Sequence, residues 1–546
     1  MPTPTESKVD EAMAAWRQVL GGDRVLAGEA AQAFAQCTSG TWRHVVAYLK
    51  ARCTQDIVAA LAVARQYGIP LYPVSTGHNW GLGSSIPVRD GCAILSLADM
   101  AEIEAFDERL GLLIIQPGVT QARLARFLAE RNLPYLVPVT GAGPDCSLLG
   151  NALERGSFMT PHADHFAAVT RLEAVLPNGE IYRGSLDALG ATCSAAPHKW
   201  GCGPYFDGLF SQGNLGIVTR MTLMLAPRPE RIEAFAFTAA EDGQLEGIID
   251  ATREILKGLP GVSTGVSMID RQRSVAGAIS YPDEFAARGV AIPEAYIQRV
   301  ARERNIPAWS GYGSLYGDPG VVRAARALVR KRLAGRVQQL VFMDRRKAQW
   351  ASRFLSLLPR ALSANHLDQL EQIQTALSFL QGQPNEQGLK MAYWRSGRGA
   401  AQGPLNPARD GCGLIWYLPV VPMIPEVVRA YVQMVHRVCR KHDINPLVQL
   451  NTMNALCIDG TLPILFDRNN PRERDAAHAC HAELMEAGRR IGIFPYRLGV
   501  DDMAAATSTG SAFWRLAAAI KSAVDPQGIV APGRYSPPPR SSAETC

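Results

Sequence analysis

Apolar residues at Ile57, Ala60, Leu61 and Ala64 recur at helical spacing and predict a helix over Thr54 to Tyr67. The chain then passes Gly68 into the short strand Ile69-Pro70-Leu71-Tyr72-Pro73-Val74, and from there into a glycine-containing loop. Two further apolar runs of strand length follow, Cys92 to Leu97 and Leu110 to Gln116, each bounded by turn residues. Thr120 is placed as the N-cap of a helix reaching about Arg131, with Leu124, Phe127 and Leu128 on one face. Leu133 to Pro138 reads as strand-like. Pro177-Asn178-Gly179-Glu180 lies between apolar stretches of Leu172 to Arg183 and predicts a hairpin. Gly216 to Ala226 is one more strand, so an α+β unit spans roughly Arg43 to Pro229.

From Glu230 the texture changes to longer helical stretches, including Val321 to Leu333, Leu367 to Leu380 and Ile424 to His442. In the last, Val427, Val428, Tyr431, Val432, Val435 and Val438 share a face, which reads as core. Gly397 to Asp410 reads as a long loop, and the Pro- and Ser-rich tail after Tyr535 as a frayed end.

A chain of 546 residues exceeds one ordinary core, so two or three compact units are expected. With 47% hydrophobic and 19% charged residues there is enough apolar surface to bury. The net charge of +6 is spread among interspersed acids and bases, which argues against a nucleic-acid partner. The most apolar runs are broken by Arg, Asp, Gly or Pro, and Met1 to Asp10 lacks the pattern of a secretory signal, so a cytoplasmic protein without a membrane span is expected. The 11 cysteines show no paired metal-ligand spacing, and free thiols are the default.

The chemistry begins at Pro73-Val74-Ser75-Thr76-Gly77-His78-Asn79-Trp80-Gly81, directly after a strand. A pyrophosphate needs converging backbone N–H groups, and glycines allow close approach and positive φ. Spacing alone leaves a plain structural turn as the other reading. No GxxxxGK[ST] occurs and no GxGxxG opens a helix here, which disfavours a P-loop or a nicotinamide-binding fold. Two more Gly/Ser-rich stretches, Gly141 to Asn151 and Gly201 to Gly216, strengthen the phosphate reading.

Four landmarks occur in one order: the His78 loop, Gln116-Pro117-Gly118-Val119-Thr120, Ser147-Leu148-Leu149-Gly150-Asn151 and Gly208 to Thr219. Together they resemble the FAD domain of the vanillyl-alcohol oxidase and p-cresol methylhydroxylase family. Thr160 to Phe166, Phe466 to Pro471, Pro495-Tyr496-Arg497 and Asp525 to Arg534 extend the likeness over nearly the whole chain. The resemblance implies an α+β fold: a two-subdomain FAD-binding domain of p-cresol methylhydroxylase type plus an α+β cap. It divides the chain into a leader with helices (1–42), the FAD-binding domain (43–229), the cap (230–500) and a C-terminal segment returning to the FAD domain (501–546). The cofactor-binding set it implies is Pro73, Ser75, Thr76, Gly77, His78, Asn79, Trp80, Gly81, Ser147, Gly150, Asn151, Gly216, Ile217, Val218 and Arg534.

At His78 the likeness shifts to berberine-bridge-type enzymes, whose histidine bonds covalently to the flavin; a histidine that only hydrogen-bonds the cofactor is the other reading. The cap position that carries the link in histidyl phenol oxidases falls near Leu414 to Pro419, which holds no histidine. Cys146 is a candidate second link, its register displaced by about two positions. Tyr496 and Arg497 match a phenolate-binding pair, or alternatively form a contact between cap and FAD domain. Leu82 stands where the family's other phenolate tyrosine falls, and Ala142 where many oxidases place an acid, with Asp145 close by but out of register. Asp164 and His165 are candidates for flavin tuning or acid–base work, or for a structural hydrogen-bonded pair. His478 and His481 lack further metal ligands and read as a solvated helix face, so no metal is expected.

The resemblance thus implies hydride transfer from a small substrate, phenolic or alcoholic, to FAD, with molecular oxygen or an electron-acceptor protein as the final acceptor. It leaves room for a homodimer. A dehydrogenase feeding a protein acceptor and a catalytically silent flavin-binding protein are the alternatives.

Overall fold

The helix Thr54–Tyr67 forms where its apolar spacing places it, burying Ile57, Ala60, Leu61 and Ala64. It ends at Gly68, whose φ of +68° closes the last turn with an N–H to the Ala64 carbonyl. The computed structural model describes residues 6–356, 374–397, 403–508 and 510–537.

Three sheets organise these residues. In the first, Val25–Leu26, Val45–Lys50, Cys92–Ser96 and Leu71–Val74 lie side by side in that order, the last three parallel. Thr54–Tyr67 makes the crossover from Val45–Lys50 to Leu71–Val74. The N-terminal helix Glu6–Leu20 packs on it, with Trp16 buried and donating Nε1–H to the Ala60 carbonyl at 3.1 Å. The second sheet is antiparallel, in the order Ile103–Asp107, Leu112–Ile115, Ile217–Met224, Val169–Val175 and Ile181–Arg183. Its last pair is the expected hairpin, turned at Gly179 with φ +93°.

The third sheet has nine strands. Gln339–Met343, Arg231–Ala239, Trp309–Gly317, Val266–Asp270, Gln449–Thr452, Cys457–Asp467, Pro419–Pro422 and Phe494–Pro495 follow one another, and Cys412–Tyr417 also pairs with Cys457–Asp467. Side chains alternate across it with period two. Phe235, Met268, Leu450, Ile458, Leu462 and Ile464 join one large core with helices Leu245–Gly258, Pro319–Leu333, Pro425–Lys441 and Pro471–Arg490. Gly460 belongs to this face because Tyr431 occupies the space beside it: a Cβ there would lie 2.7 Å from the ring. The Tyr431 hydroxyl donates to the Gly460 carbonyl at 2.6 Å. The other face bears the residues of the site below.

Val428, Tyr431, Val432, Val435 and Val438 are core residues, as their spacing predicts. Two readings need correction. Leu133 to Pro138 is not a strand; it makes a single bridge, Tyr135 to Pro227, and Pro134, Pro138 and the facing Pro227 have no N–H with which to extend it. Of Leu367 to Leu380, 374–380 is helical and the remainder lies outside the described residues, as do 398–402 of the expected long loop and the tail from 538. Among the described residues no disulfide occurs, and no helix is long and apolar enough to cross a membrane.

The C-terminal segment returns to the first sheet. Leu71 N–H donates to the Ile529 carbonyl at 2.7 Å and Ala531 N–H to the Leu71 carbonyl at 2.8 Å. Buried Lys521 fixes this return by donating to Asp525 at 2.6 Å and to the carbonyls of Asn214 and Val530 at 2.5 and 2.9 Å.

Candidate active site

A cavity of about 450 Å³ runs between the first two sheets and the open face of the third. Every residue of the expected cofactor set except Gly81 lines it, together with Tyr496, Arg497, Leu82, Ala142 and Cys146. Gly81 sits behind the wall, its N–H donating to Thr38 Oγ1 at 2.8 Å. Only glycine fits there, since a Cβ would stand 2.3 Å from the Trp416 ring.

The two loops facing the cavity are stitched together. Ser147 N–H donates to Thr76 Oγ1 at 3.0 Å, Ser147 Oγ donates to the Pro117 carbonyl at 2.6 Å and accepts from Gly150 N–H at 2.9 Å. Gly150 lies so close to the first loop that a Cβ would meet Ser75 Oγ at 2.4 Å. Trp80 Nε1 donates to the Ala142 carbonyl at 3.0 Å. Gly77 has φ +73°, and among the described residues the N–H groups of Gly77, His78 and Asn79 meet no protein acceptor. Backbone donors at a cavity wall need a partner, and a concave run of them is a nest for an anion. The donor set fits a pyrophosphate.

His78 lies in this wall, its ring stacked on Trp80 with centroids 4.7 Å apart. Burial pushes its pKa down to about 4 against the pull of Asp145, so the imidazole is neutral at pH 7. Its Nδ1 is buried without a partner. Cys146 is also buried, and burial raises its thiol to about 11, which leaves little thiolate.

Asp164 and His165 lie outside the cavity lining. Asp164 is exposed and accepts from Ala167 N–H at 2.9 Å. His165 is buried, held by burial at a pKa of about 4, and its Nδ1 lies 2.5 Å from Asn151 Nδ2. It therefore reaches the cavity through Asn151, and the two side chains have separate partners. His478 and His481 do not form a solvated face. His481 is buried beside Asp502 at 3.5 Å and His478 reaches the Ser39 carbonyl at 3.0 Å, because their helix packs against the chain's early loop and its C-terminal part. No metal-holding cluster occurs among the described residues.

The third sheet contributes residues that sequence reasoning missed. Strand register places Tyr312 opposite Ser267, Ser267 opposite Asn451, Asn451 opposite Asp459, and Asp459 opposite Val420, which pairs with Phe494. One row thus leads across the open face to Tyr496 and Arg497. Gln449 Nε2 donates to Ser267 Oγ and to Asn451 Oδ1, both at 2.9 Å, and Asn451 Nδ2 donates to Thr461 Oγ1 at 2.9 Å. Asp459 ends this chain with Oδ1 buried and unpartnered. Burial raises its pKa to about 7, against a Thr461 hydrogen bond and the Arg497 charge. Arg497 Nη2 donates to Asn79 Oδ1 at 2.8 Å, joining this row to the His78 loop, while its Nε is buried without a partner. Burial raises the Tyr496 hydroxyl, and the Asp459 charge adds to that. The sequence signal was available: Asp459 and Thr461 interrupt an otherwise apolar strand, and Gln449-Leu450-Asn451 alternates.

At the carboxyl end of Leu71–Val74, Arg534 donates to Tyr72 Oη at 2.7 Å and pairs with Glu154. This fixed cation lines the same cavity as Ile217 and Val218.

Residues 45–185 match the model of the FAD-binding domain family. The chain is 36% identical over 530 residues to the 1'-carboxy-chondrochloren decarboxylase of Chondromyces crocatus, covering 96% of this chain and 97% of that one. It is 26% identical to the 4-cresol dehydrogenase (hydroxylating) flavoprotein subunit of Pseudomonas putida, covering 97% and 96%. Superposed on substrate-bound p-cresol methylhydroxylase, it reaches a TM-score of 0.86 with 25% identity and 98% of both chains covered. The chain belongs to the vanillyl-alcohol oxidase and p-cresol methylhydroxylase family.

Membership makes the protein an FAD-dependent oxidoreductase with an FAD-binding domain and a cap. The family's cofactor fits the residues present: the nest at Gly77 to Asn79 suits its pyrophosphate, and the elongated cavity leads from there past His78 to the polar face. The third sheet supplies Asp459, Thr461, Gln449 and Asn451 to this cavity.

Proposed function

We propose that the protein oxidises a small phenolic substrate held between the flavin loop and the cap sheet. The buried cluster of Tyr496, Arg497 and Asp459 carries this reading, because it offers a hydroxyl, a permanent cation and a carboxyl titrating near 7 at one point of the cavity. The similarity to a 4-cresol dehydrogenase and to p-cresol methylhydroxylase supports it. Arg497 and Tyr496 hold the phenolate oxygen, and Asp459 accepts the phenol's proton, so that one guanidinium faces one net anion. Bound FAD supplies a hydride acceptor, and electrons leave to oxygen or to an acceptor protein. The Asn79 to Arg497 bond keeps the phenolate subsite in register with the cofactor loop. In this scheme residues 43–229 hold the cofactor, 230–500 shape the substrate cavity and 501–546 close the cofactor side.

Identity to a decarboxylase favours a second reading on the same site. There, hydride leaves the carbon next to the ring while a carboxylate on the adjacent carbon departs as CO2, and its electron pair becomes the new C=C bond.

His78 is the covalent anchor in this proposal. A neutral, cavity-facing imidazole with an unpartnered Nδ1 is a competent nucleophile. His78 would hold the cofactor through a ring nitrogen bonded to the methyl carbon of its dimethylbenzene ring, the imidazole giving up its N–H proton and the methyl group one hydrogen as a proton, with two electrons going to the proposed acceptor. The high thiol pKa of Cys146 disfavours a second link. Acid-denatured wild-type protein is expected to stay yellow, and His78→Ala to release all its flavin to the supernatant. Complete release from the wild type contradicts the anchor, and a colourless native protein contradicts the cofactor.

A further inference from the structure

The polar row on the cap sheet has a cation at each end, and only one of them has been used. Arg497 stands at the Asp459 end. Arg273 stands at the other, beside Tyr312 and Gln449, and lines the same cavity. Three strand spacings, about 14 Å, separate the backbones of Tyr312 and Asp459.

Arg273 comes from the first turn of the helix Arg271–Ala278, which follows the strand Val266–Asp270 directly. Its side chain makes a 3.3 Å bond from Nη1 to the Leu447 carbonyl. Among the described residues it has no ion-pair partner. Asp270 is the acid that acts on it most strongly, yet that carboxylate is engaged elsewhere: Oδ1 caps the helix by accepting Arg273's own backbone N–H at 2.8 Å, and Oδ2 lies 3.2 Å from His436 Nε2. Burial lowers the Arg273 guanidinium to about 10, so it remains charged at neutral pH. The Tyr312 hydroxyl is held neutral, its pKa pushed up to about 12 by burial.

A charge withdrawn from water is costly unless paired. At the Arg497 end the charge is answered by the proposed phenolate, with the carboxyl groups of Glu154 and Asp459 acting from nearby. At the Arg273 end the protein offers a planar guanidinium and the Tyr312 hydroxyl, and the nearest acid, Asp270, is already engaged by the helix N-terminus and His436. The cofactor's pyrophosphate has a separate candidate nest at Gly77 to Asn79. A guanidinium with a neutral donor beside it is the geometry that takes a carboxylate in a bidentate hold.

We infer that Arg273, with Tyr312, forms a second anion-receiving subsite that takes a carboxylate on the substrate's side chain, so that the preferred substrates are phenols bearing a carboxylate-terminated substituent. The inference rests on the phenolic reading of the Tyr496 and Arg497 end. It makes Arg273 a specificity-determining residue and gives the decarboxylative reading the carboxylate that it requires.

The test mixes the flavin-loaded protein rapidly and anaerobically with 4-propylphenol, 4-hydroxyphenylpropanoate or phenylpropanoate and takes each dissociation constant from the concentration dependence of the flavin's spectral change, whether perturbation or reduction. The hydroxylated acid is expected to bind the wild type about 10- to 100-fold more tightly than the neutral phenol, the span of one charge-assisted pair. Arg273→Gln should collapse that ratio to about one, and Arg273→Lys should restore part of it. Equal binding of acid and neutral phenol by the wild type, or an undiminished ratio in Arg273→Gln, overturns the inference. If phenylpropanoate binds in an Arg273-dependent way while 4-propylphenol does not bind, the carboxylate subsite stands and the phenolic reading fails. If none of the three binds, the inference fails with it.

Discussion

Exchange of Asp459 for Asn is expected to lower kcat for a phenolic substrate by about 10²- to 10⁴-fold, the range that a positioned proton acceptor contributes. The side chain is nearly isosteric, so the cavity keeps its shape and the Thr461 contact can persist. What is lost is a carboxyl whose pKa burial has lifted to about 7. A group of that pKa is protonated below 7 and ionised above it. Wild-type kcat/KM should therefore rise with pH through about 7, and the variant should lack this inflection. Stability moves the other way. The folded-state pKa lies above the ordinary carboxylate value, so the fold binds more protons than the unfolded chain between about 4 and 7. The Asp459 contribution to stability is thus fully present at acid pH and lost as pH rises through about 7. Asp459→Asn should consequently melt no lower than wild type at pH 8 while being nearly inactive, a combination that misfolding cannot produce. An unchanged pH profile in the variant would remove Asp459 from the chemistry.

Arg497→Met is expected to cost about 10²- to 10⁴-fold in kcat/KM, equivalent to the roughly 3–5 kcal/mol lost when one member of a buried charged set is removed. Two effects add. The phenolate oxygen loses its cation, and Asn79 Oδ1 loses the 2.8 Å bond that ties the flavin loop to the cap sheet. Arg497→Lys keeps the charge but not the planar fork, and should recover only part of the loss. Steady-state kinetics on both variants check this. The signature is a large rise in KM for phenols together with a fall in kcat, because phenolate formation and its placement over the cofactor both depend on this group. Kinetics within a few-fold of wild type for Arg497→Met would transfer the phenolate role elsewhere in the cavity.

Much of the cofactor side was legible in the chain because its determinants are local. A strand followed by Gly77, a serine cap at Ser147 and a glycine at 150 are short-range features, and each does in the fold what its sequence neighbourhood demands. Gly81 shows the limit of that logic: it belongs to the loop, but its lack of a side chain serves Trp416, more than 300 positions away in the sequence. The substrate side was less legible for the same reason. Asp459, Asn451, Ser267 and Tyr312 form one row only after four strands from distant parts of the chain have paired in register, and no local pattern announces which strands will be neighbours. Asp164 and His165 look like an acid–base pair in the sequence because they are adjacent. In the fold, adjacency sends them apart, Asp164 to a turn at the surface and His165 inward to Asn151.

His78 is where the two kinds of information meet. Its position in the loop came from the sequence, whereas its neutral state and unpartnered Nδ1 come from burial against Trp80.

The most direct test of the account is anaerobic mixing of the purified, flavin-loaded protein with 4-alkylphenols and 4-hydroxyphenylpropanoate, followed by its visible absorbance. At least one of these phenols is expected to bleach the oxidised flavin band in a single turnover, and the bleaching is expected to be lost in Arg497→Met. A flavin that stays oxidised with every phenol, while remaining reducible by dithionite, would contradict it.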